Sequence, residues 1–206
     1  MKELYIEGID LTGESTAVRR ISERFNIPSR HRLLSEINPL IDTARREQLE
    51  HGIGSLAASH AYLDAIEYDI NHHRSTSANN VLLQESTMIA KSYAIDKASG
   101  ADISIMRRYD ALLGKHPKFT SSVMLTASTE CRLQRLQKRF AESPDKVTRN
   151  DLRLLQDPEY VTRVESIMRD LARTAFNACI IDTTHMTQDE VKEEIVNVFN
   201  LGEENK

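Results

Sequence analysis

Short apolar segments alternate with longer helical patterns through the whole chain, and this alternation restricts the fold more than any other feature. Five apolar segments are predicted to be strands, at residues 4–6, 31–34, 81–84, 122–125 and 179–181. Helical patterns lie between them, and a polar turn is predicted at 75–80. This order predicts an α/β fold with a five-stranded, mostly parallel sheet flanked by helices. In such sheets ligands bind beyond the carboxyl ends of the strands, so we expect the functional site there.

Composition narrows the class of protein. The 206 residues carry a net charge of −4, and 40% of them are hydrophobic. No stretch approaches the roughly 20 apolar residues of a membrane helix. We therefore expect one globular domain at 1–206, with no membrane segment and no nucleic-acid partner. Two cysteines are too few for a disulfide framework, and the charged N-terminus leads into a strand, so a cytoplasmic protein is expected.

The segment GIDLTGEST, from Gly8 to Thr16, has the spacing of a phosphate-binding loop between a strand and a helix. Both glycines and the two hydroxyl residues keep the register of the motif G-x-x-x-x-G-K-[ST]. Backbone N–H groups of such a loop surround phosphates, and the hydroxyl after the lysine position binds Mg²⁺. A plain strand–helix turn would explain the hydroxyls but not both glycines. The residues predicted to bind nucleotide in this loop are Gly8, Asp10, Leu11, Thr12, Gly13, Ser15 and Thr16.

Glu14 stands where this motif has its lysine, and it is counted among the predicted catalytic residues because of that position. The exchange places a negative charge beside a polyanion, where two unit charges about 4 Å apart interact by roughly 1–4 kcal/mol. Weakened phosphate binding is therefore expected. A carboxylate is also attracted to a helix N-terminus, so Glu14 is a candidate to occupy the phosphate nest itself.

Several segments together resemble the thymidylate kinase family. The opening YIEGID, with the loop that follows, is similar to the start of that family. The segment VLLQESTMIAKSYA at 81–94 resembles its third strand and Asp-Arg-Tyr/Ser motif, and TECRLQRLQKR at 129–139 resembles its lid helix. The resemblance covers nearly the whole chain in order. It implies a P-loop nucleotide kinase fold with a short helical lid at approximately 132–152.

The resemblance also implies an activity, namely transfer of a phosphoryl group from ATP to a nucleoside monophosphate or a related small acceptor. Ser15 would bind Mg²⁺ through its hydroxyl. Glu85, which stands in the place of the family's aspartate, would be catalytic and would act on Mg²⁺ or on the acceptor. Ser86 replaces the arginine that follows this acid, and the second-strand motif has lost its arginine. A homodimer is expected on the same grounds. The acceptor-binding residues that the resemblance implies are Glu36, Tyr62, Ser86 and Tyr93.

Arg132, Arg135 and Arg139 recur at intervals of three and four residues, which places them on one face of a helix. Three guanidinium groups in line suit the charge of a transferring phosphoryl group and are candidates to compensate for the missing lysine. They are therefore predicted to be catalytic. The alternative is a solvated basic face that pairs with Glu130 and Glu142.

Asp10 and Asp182 are two further acidic candidates. Asp10 lies within the loop, where it is a candidate to order a metal-bound water or the acceptor. Asp182 follows the fifth predicted strand, where the adenine side of a bound nucleotide is expected. For both residues the alternative is a turn-stabilising role, which is common for aspartate.

Two functions from different classes fit this sequence. One is an active kinase that uses ATP and Mg²⁺. The other is a catalytically impaired relative that binds a nucleotide or a partner, as indicated by Glu14 and Ser86. A different P-loop NTPase, such as a switch or motor subunit, fits less well because the third strand offers only Glu85 as a metal-side acid.

Overall fold

The computed structural model describes residues 2–73, 81–147 and 149–202, so the turn predicted at 75–80 lies outside the described residues. The strands in chain order are β1 Lys2–Gly8, β2 Ser29–His31, β3 Val81–Glu85, β4 Ser121–Thr126 and β5 Cys179–Asp182. They form one sheet in the order β2-β3-β1-β4-β5, and all four strand pairs in it are parallel. The predicted α/β fold with a parallel five-stranded sheet is confirmed.

Helices connect these strands along the described parts of the chain. In order they are α1 Glu14–Phe25, α2 Ile41–His51, α3 Leu56–Asn71, α4 Met88–Ala98, α5 Ile103–Lys115, α6 Thr129–Glu142, α7 Arg149–Gln156, α8 Pro158–Thr174 and α9 Gln188–Phe199. A 3₁₀ turn, Pro144–Lys146, lies between α6 and α7. None of the described helices is long and apolar enough to span a membrane.

The second strand differs from its prediction. It runs over Ser29–His31 instead of 31–34, and Arg32 follows directly at its carboxyl end. Leu34 is buried in the loop beyond the strand, where its N–H donates to the Asp69 carboxylate at 2.6 Å. The prediction was wrong because a buried loop residue gives the same local apolar signal as a strand.

Successive side chains of the central strands point to opposite faces of the sheet, and they are buried on both faces. Leu4 and Ile6 of β1, together with Val123 of β4, belong to a core cluster that includes residues of α1 and α9. Met124 points to the other face, in a cluster with Val164 of α8. Because both faces are covered, the free carboxyl edge of the sheet is where a ligand can approach the central strands.

The carboxyl ends of β1, β3 and β4 meet at this edge. β1 pairs with β3 up to Ile6↔Glu85 and with β4 up to Gly8↔Leu125. α1 begins at Glu14, directly after the loop that follows β1. The fold therefore places the glycine loop, the end of β3 and the N-terminus of α1 side by side.

Candidate active site

The loop between β1 and α1 is folded tightly around its two glycines. Gly13 has φ 98° and Leu11 has φ 72°, both in the left-handed region that favours glycine. A Cβ on Gly8 would come within 2.5 Å of Thr12 Oγ1, so this position has no room for a side chain. Thr12 donates to the Ile9 carbonyl through its N–H at 3.3 Å and its hydroxyl at 2.8 Å. A loop of this kind before a helix N-terminus attracts anions.

Two of the three predicted arginines on α6 hold carbonyl groups of this loop. Arg132, which is only 2% exposed, donates through Nε to the Asp10 carbonyl at 2.9 Å. Its other end lies 3.3 Å from the Glu165 carboxylate. Arg135 donates to the carbonyls of Leu11 at 2.9 Å and Thr183 at 2.8 Å. Both guanidinium groups therefore fix the loop backbone through contacts that the sequence did not indicate.

The third arginine, Arg139, reaches towards α7. It pairs with the buried Asp151 carboxylate at 3.1 Å and keeps 37% of its side chain exposed. This ion pair connects α6 to a helix that the apolar pattern did not predict. The ion pair therefore joins two segments within the predicted lid, 132–152.

The Glu14 side chain folds back over the loop. Its Oε2 lies 3.5 Å from the position that a Cβ on Gly8 would take, and its Oε1 is shielded from solvent. That oxygen has no hydrogen-bond partner within the described part of the chain. Burial raises the pKa of Glu14 well above its ordinary value, and the nearby Glu7 and Glu85 raise it further. The group that replaces the lysine is thus a desolvated carboxyl lying against the loop backbone.

A second buried carboxyl, Glu7, lies at the base of the loop and is 2% exposed. It accepts hydrogen bonds from the Tyr5 hydroxyl at 2.5 Å, the Gly8 N–H at 3.0 Å and the Ser86 hydroxyl at 2.9 Å. Burial raises the pKa of Glu7, although these hydrogen bonds act in the opposite direction. The side chain links β1 to the segment after β3. Ser86, for which the resemblance implies an arginine, therefore has a structural partner in Glu7.

Asp10 points out of the loop towards α4. Both of its carboxylate oxygens accept from the Lys91 ammonium group, at 2.7 and 2.8 Å. Burial alone would raise the pKa of Asp10, but the Lys91 charge and its hydrogen bonds lower it below the ordinary value. Lys91 is a site residue that the sequence analysis did not select. Its signal was weak, because one lysine in a helix is most simply a solvated residue.

Glu85, at the end of β3, connects this strand to β2 and to the start of α1. Its Oε1 accepts from the Ser15 hydroxyl at 2.6 Å and lies 3.1 Å from His31 Nδ1. Burial would raise the pKa of Glu85, but the hydrogen bonds from His31 and Ser15 lower it. The structure thus brings together the two residues predicted for Mg²⁺, although they are 70 positions apart in the chain.

The chemistry of this pair suits Mg²⁺. The Ser15 hydroxyl and the Glu85 carboxylate are oxygen donors, and Mg²⁺ in phosphate-transfer sites takes one or two protein oxygens together with substrate phosphates and water. In the ranges that the structure describes, no group of three or more His, Cys, Asp or Glu side chains is arranged to hold a metal ion.

Two cavities meet at the phosphate loop. The first has a volume of about 560 Å³ and extends from the loop towards β2 and α2. The second, of about 510 Å³, lies between the loop, α6 and the start of α9. Leu11, Thr12, Gly13, Thr16 and Arg139 border both. Each volume is in the range of small-molecule sites.

The walls of the two cavities differ in charge. The acidic and basic side chains around the first cavity are Asp10, Glu14, Glu85, Asp151, Arg32, Lys91 and Arg139. Those around the second are Arg135, Lys138, Arg139 and Glu142. Four acidic and three basic side chains thus line the first cavity, whereas three basic side chains and one acidic side chain line the second.

Three solved structures share this architecture. Deoxyadenosine kinase from M. mycoides matches with a TM-score of 0.63 and 16% identity, over 97% of this chain and 98% of that chain. Thymidylate kinase from Candida albicans matches with a TM-score of 0.56 and 16% identity, over 97% and 91%. The YorR protein from Bacillus subtilis, solved with phosphorylated GDP, matches with a TM-score of 0.53 and 15% identity, over 97% and 96%. The chain has the fold of P-loop nucleoside and nucleotide kinases. No family model matches the sequence, and no curated protein matches it.

With this kinase fold in view, the acceptor residues implied by the resemblance can be located. Ser86 lines the first cavity, together with Arg32, which the sequence analysis missed. Tyr62 does not line this cavity itself. Its hydroxyl donates to Oε1 of Gln48 at 3.1 Å, and Gln48 is part of the cavity wall. Glu36 is exposed and lies outside the walls of both cavities.

Tyr93 and Asp182 also lie outside both cavity walls of this kinase fold. Tyr93 packs edge-on against Tyr109, with ring centroids 5.7 Å apart, because its position on α4 faces α5 instead of the loop. Asp182 accepts from the N–H and hydroxyl of Thr184, at 2.9 and 2.5 Å. Its observed contacts are those of the turn-forming alternative.

Proposed function

We propose that the chain is an ATP-dependent phosphotransferase that moves the γ-phosphoryl group to a nucleoside monophosphate or a related small acceptor such as a nucleoside. The observation that carries this proposal is the meeting of two ligand-sized cavities at one phosphate loop. Phosphoryl transfer needs a donor and an acceptor in line on either side of the transferred group. The loop from Gly8 to Thr16 lies at that junction.

The second cavity suits the donor nucleotide. Its walls combine the N-terminus of α1 with Arg135, Lys138 and Arg139, so helix dipole and side-chain charge both favour phosphates. Met186 and Val191 supply apolar surface at the far end, as a nucleobase requires. ATP placed here would direct its terminal phosphate towards the first cavity.

The first cavity suits the acceptor. It reaches from the loop to Gln48, Leu49 and Ile53, which offer an amide and apolar surface for a base. Four acidic and three basic side chains surround it, so an acceptor with little charge meets less repulsion than a monophosphate. This balance is the reason to include nucleosides among the proposed acceptors.

Ser15 and Glu85 are the proposed ligands of Mg²⁺, which supplies charge neutralisation at the phosphates when it is bound. Arg132 and Arg135 hold the loop in place through its carbonyls, and Arg139, which pairs with Asp151, is partly exposed where the two cavities meet. The structural neighbours named above support the proposed phosphotransfer, since one is a deoxyadenosine kinase and another a thymidylate kinase. The homodimer and the cytoplasmic location remain predictions.

Transfer of labelled phosphate from ATP to a panel of nucleosides and nucleoside monophosphates tests the proposal. The unaltered chain is compared with Glu14→Lys, and Lys115→Gln, an exposed change on α5, is the matched control. We expect Mg²⁺-dependent transfer to at least one acceptor, with a gain of about tenfold or more in ATP affinity for Glu14→Lys, since a hydrogen-bonded charge replaces a repulsive one. Absence of transfer in both chains, with every acceptor, would contradict the kinase proposal.

A second candidate function is a catalytically impaired relative that binds a nucleotide or a partner. The specific observation for it is the Glu14 carboxyl against Gly8, where a phosphate would have to displace it. This candidate predicts that Glu14→Lys transfers phosphate whereas the unaltered chain only binds. The same assay therefore separates the two functions.

A further inference from the structure

The phosphate loop has lost its own lysine, and two of the arginines expected to replace that charge are already engaged. Arg132 donates to the carbonyl of Asp10, and Arg135 donates to the carbonyl of Leu11. A guanidinium group held by backbone carbonyls behind the loop is poorly placed to follow a phosphoryl group that moves away from the loop. Positive charge at the transfer point must therefore come from another element.

Lys91 is the lysine that lines the first cavity among the described residues. Its ammonium group lies 2.7 and 2.8 Å from the two carboxylate oxygens of Asp10, a residue of the phosphate loop. Its side chain keeps 25% exposure, so the group is tethered to the loop and still open to the cavity. Its positive charge also reaches the Glu14 carboxyl. Lys91 is thus electrostatically connected to the position that it would replace.

The helix that carries Lys91 gives no local reason for a cation there. Lys91 is the fourth residue of α4, which begins at Met88, and the first turn contains no acidic residue. A positive charge in a first turn opposes the helix dipole, so helix stability alone disfavours it. The ion pair with Asp10 at the cavity offsets this disadvantage. The placement therefore favours a role at the loop over a role in the helix.

The other cations of the cavity are less well placed. Arg32 follows β2, which is separated from β1 by β3, and its side chain is exposed. Arg139 is bound to Asp151 on the side of α7. Lys91 follows β3, the direct neighbour of β1, and contacts the loop itself.

We propose that Lys91, supplied by α4, is the phosphate-binding lysine of this loop and takes over the charge that Glu14 has removed. This proposal rests on the proposed phosphotransfer. In the step, the acceptor oxygen forms a bond to the γ-phosphorus while the bond from that phosphorus to the β–γ bridging oxygen breaks. Any proton on the acceptor oxygen passes to water, and Lys91 remains protonated throughout. Asp10 holds the ammonium group until the nucleotide phosphates compete for it.

Four chains test whether Lys91 replaces the loop lysine: the unaltered chain, Lys91→Met, Glu14→Lys and the double variant. Affinity for Mg²⁺·ATP is measured by calorimetry and transfer by the labelled-phosphate assay, with Lys115→Met on α5 as the control. We expect Lys91→Met to weaken ATP binding by about tenfold or more, as for loss of a charge-assisted hydrogen bond. In the Glu14→Lys background the same change should cost less than about threefold, because the loop then has its own lysine.

Two results would overturn the proposal. One is ATP binding by Lys91→Met within about twofold of the unaltered chain, and the other is an equal loss in both backgrounds, which would make the two residues independent. Lys91→Met leaves Asp10 unpaired, and this variant could fail to fold. In that case two variants replace it in the binding assay: Lys91→Met combined with Asp10→Asn, which removes both charges, and Lys91→Arg, which keeps the positive charge. The binding readout separates this inference from the proposed function. A chain that binds ATP through Lys91 and transfers to no acceptor would refute the phosphotransfer alone.

Discussion

The two sides of the phosphate loop are built in opposite ways. On the lid side, defined by Arg132 and Arg135 of α6, positive groups hold the loop carbonyls at 2.9 Å. On the proposed acceptor side, four carboxyl groups lie around the loop, and the Lys91 ammonium group pairs with one of them, Asp10. The other three carboxyl groups belong to Glu7, Glu14 and Glu85. Basic side chains thus fix the loop backbone on the lid side, whereas acidic side chains predominate on the acceptor side.

This difference separates what a phosphate loop needs for its shape from what it needs for its charge. The backbone keeps its tight turn with Glu14 in place of lysine, because the shape depends on Gly8, Gly13 and the carbonyl contacts of the arginines. In our proposal the positive charge at the transfer point is supplied separately, by Lys91.

Removing the buried cation of the lid side should have the largest effect. Arg132→Met removes the donor of the Asp10 carbonyl and one of the two arginine partners of Glu165, in a region where Arg132 is 2% exposed. We expect the free energy of unfolding to fall by about 3–5 kcal/mol, as when one partner of a buried pair is removed. Denaturant unfolding measures this change. Arg173→Met, exposed on α8, should stay within about 0.5 kcal/mol, and an equally small loss for Arg132→Met would contradict the bracing role.

A buried histidine outside the loop provides a reference with the opposite pH dependence to Glu14. Burial lowers the pKa of His116 to about 4, and its ring packs edge-on against Phe119 and Phe176. An unfolded chain protonates this group near pH 6.5, so stability is full above that pH and is lost as the pH falls towards 4. The free energy of unfolding should fall by about 3 kcal/mol over this range, since one pKa unit corresponds to about 1.4 kcal/mol. His116→Phe should remove that part of the acid loss in pH-dependent unfolding, and an unchanged profile would refute the assignment.

Glu14 should act in the other direction and more weakly. Its folded-state pKa lies above the ordinary value, so the folded chain holds the proton more tightly and this residue's contribution to stability grows as the pH falls. At neutral pH its charge is a cost beside Glu7 and Glu85. Glu14→Gln should therefore raise the free energy of unfolding at pH 7 by about 1–2 kcal/mol, with less gain at pH 5. A lower stability for Glu14→Gln at pH 7 would show that the carboxylate is stabilised by the loop.

Most of the fold follows from the sequence because its determinants are local. Apolar runs with neighbouring turns identify the strands β1, β3, β4 and β5 to within a few residues. The bounds of β2 were not predicted because the strand has only three residues. Helix α7 was not predicted because its eight residues are too few for a clear apolar pattern. The phosphate loop is readable because its spacing is contained within nine residues.

The rest of the site depends on contacts between distant segments. Arg132 and its Asp10 carbonyl are 122 residues apart, and Lys91 and Asp10 are 81 apart. No periodic pattern encodes such pairs. The arginines were recognised by their spacing, but their partners turned out to be loop carbonyls, and Tyr93 was selected although its ring faces α5.

The most direct test of the account is a crystal structure with Mg²⁺ and a non-hydrolysable ATP analogue. We predict phosphates in the loop between Gly8 and Gly13, the Glu14 carboxyl turned away from Gly8, and the Lys91 ammonium group moved from Asp10 to the terminal phosphate. A nucleotide bound elsewhere, or phosphates in the loop with Lys91 still paired to Asp10, would contradict the claim that this loop works with a cation supplied by α4.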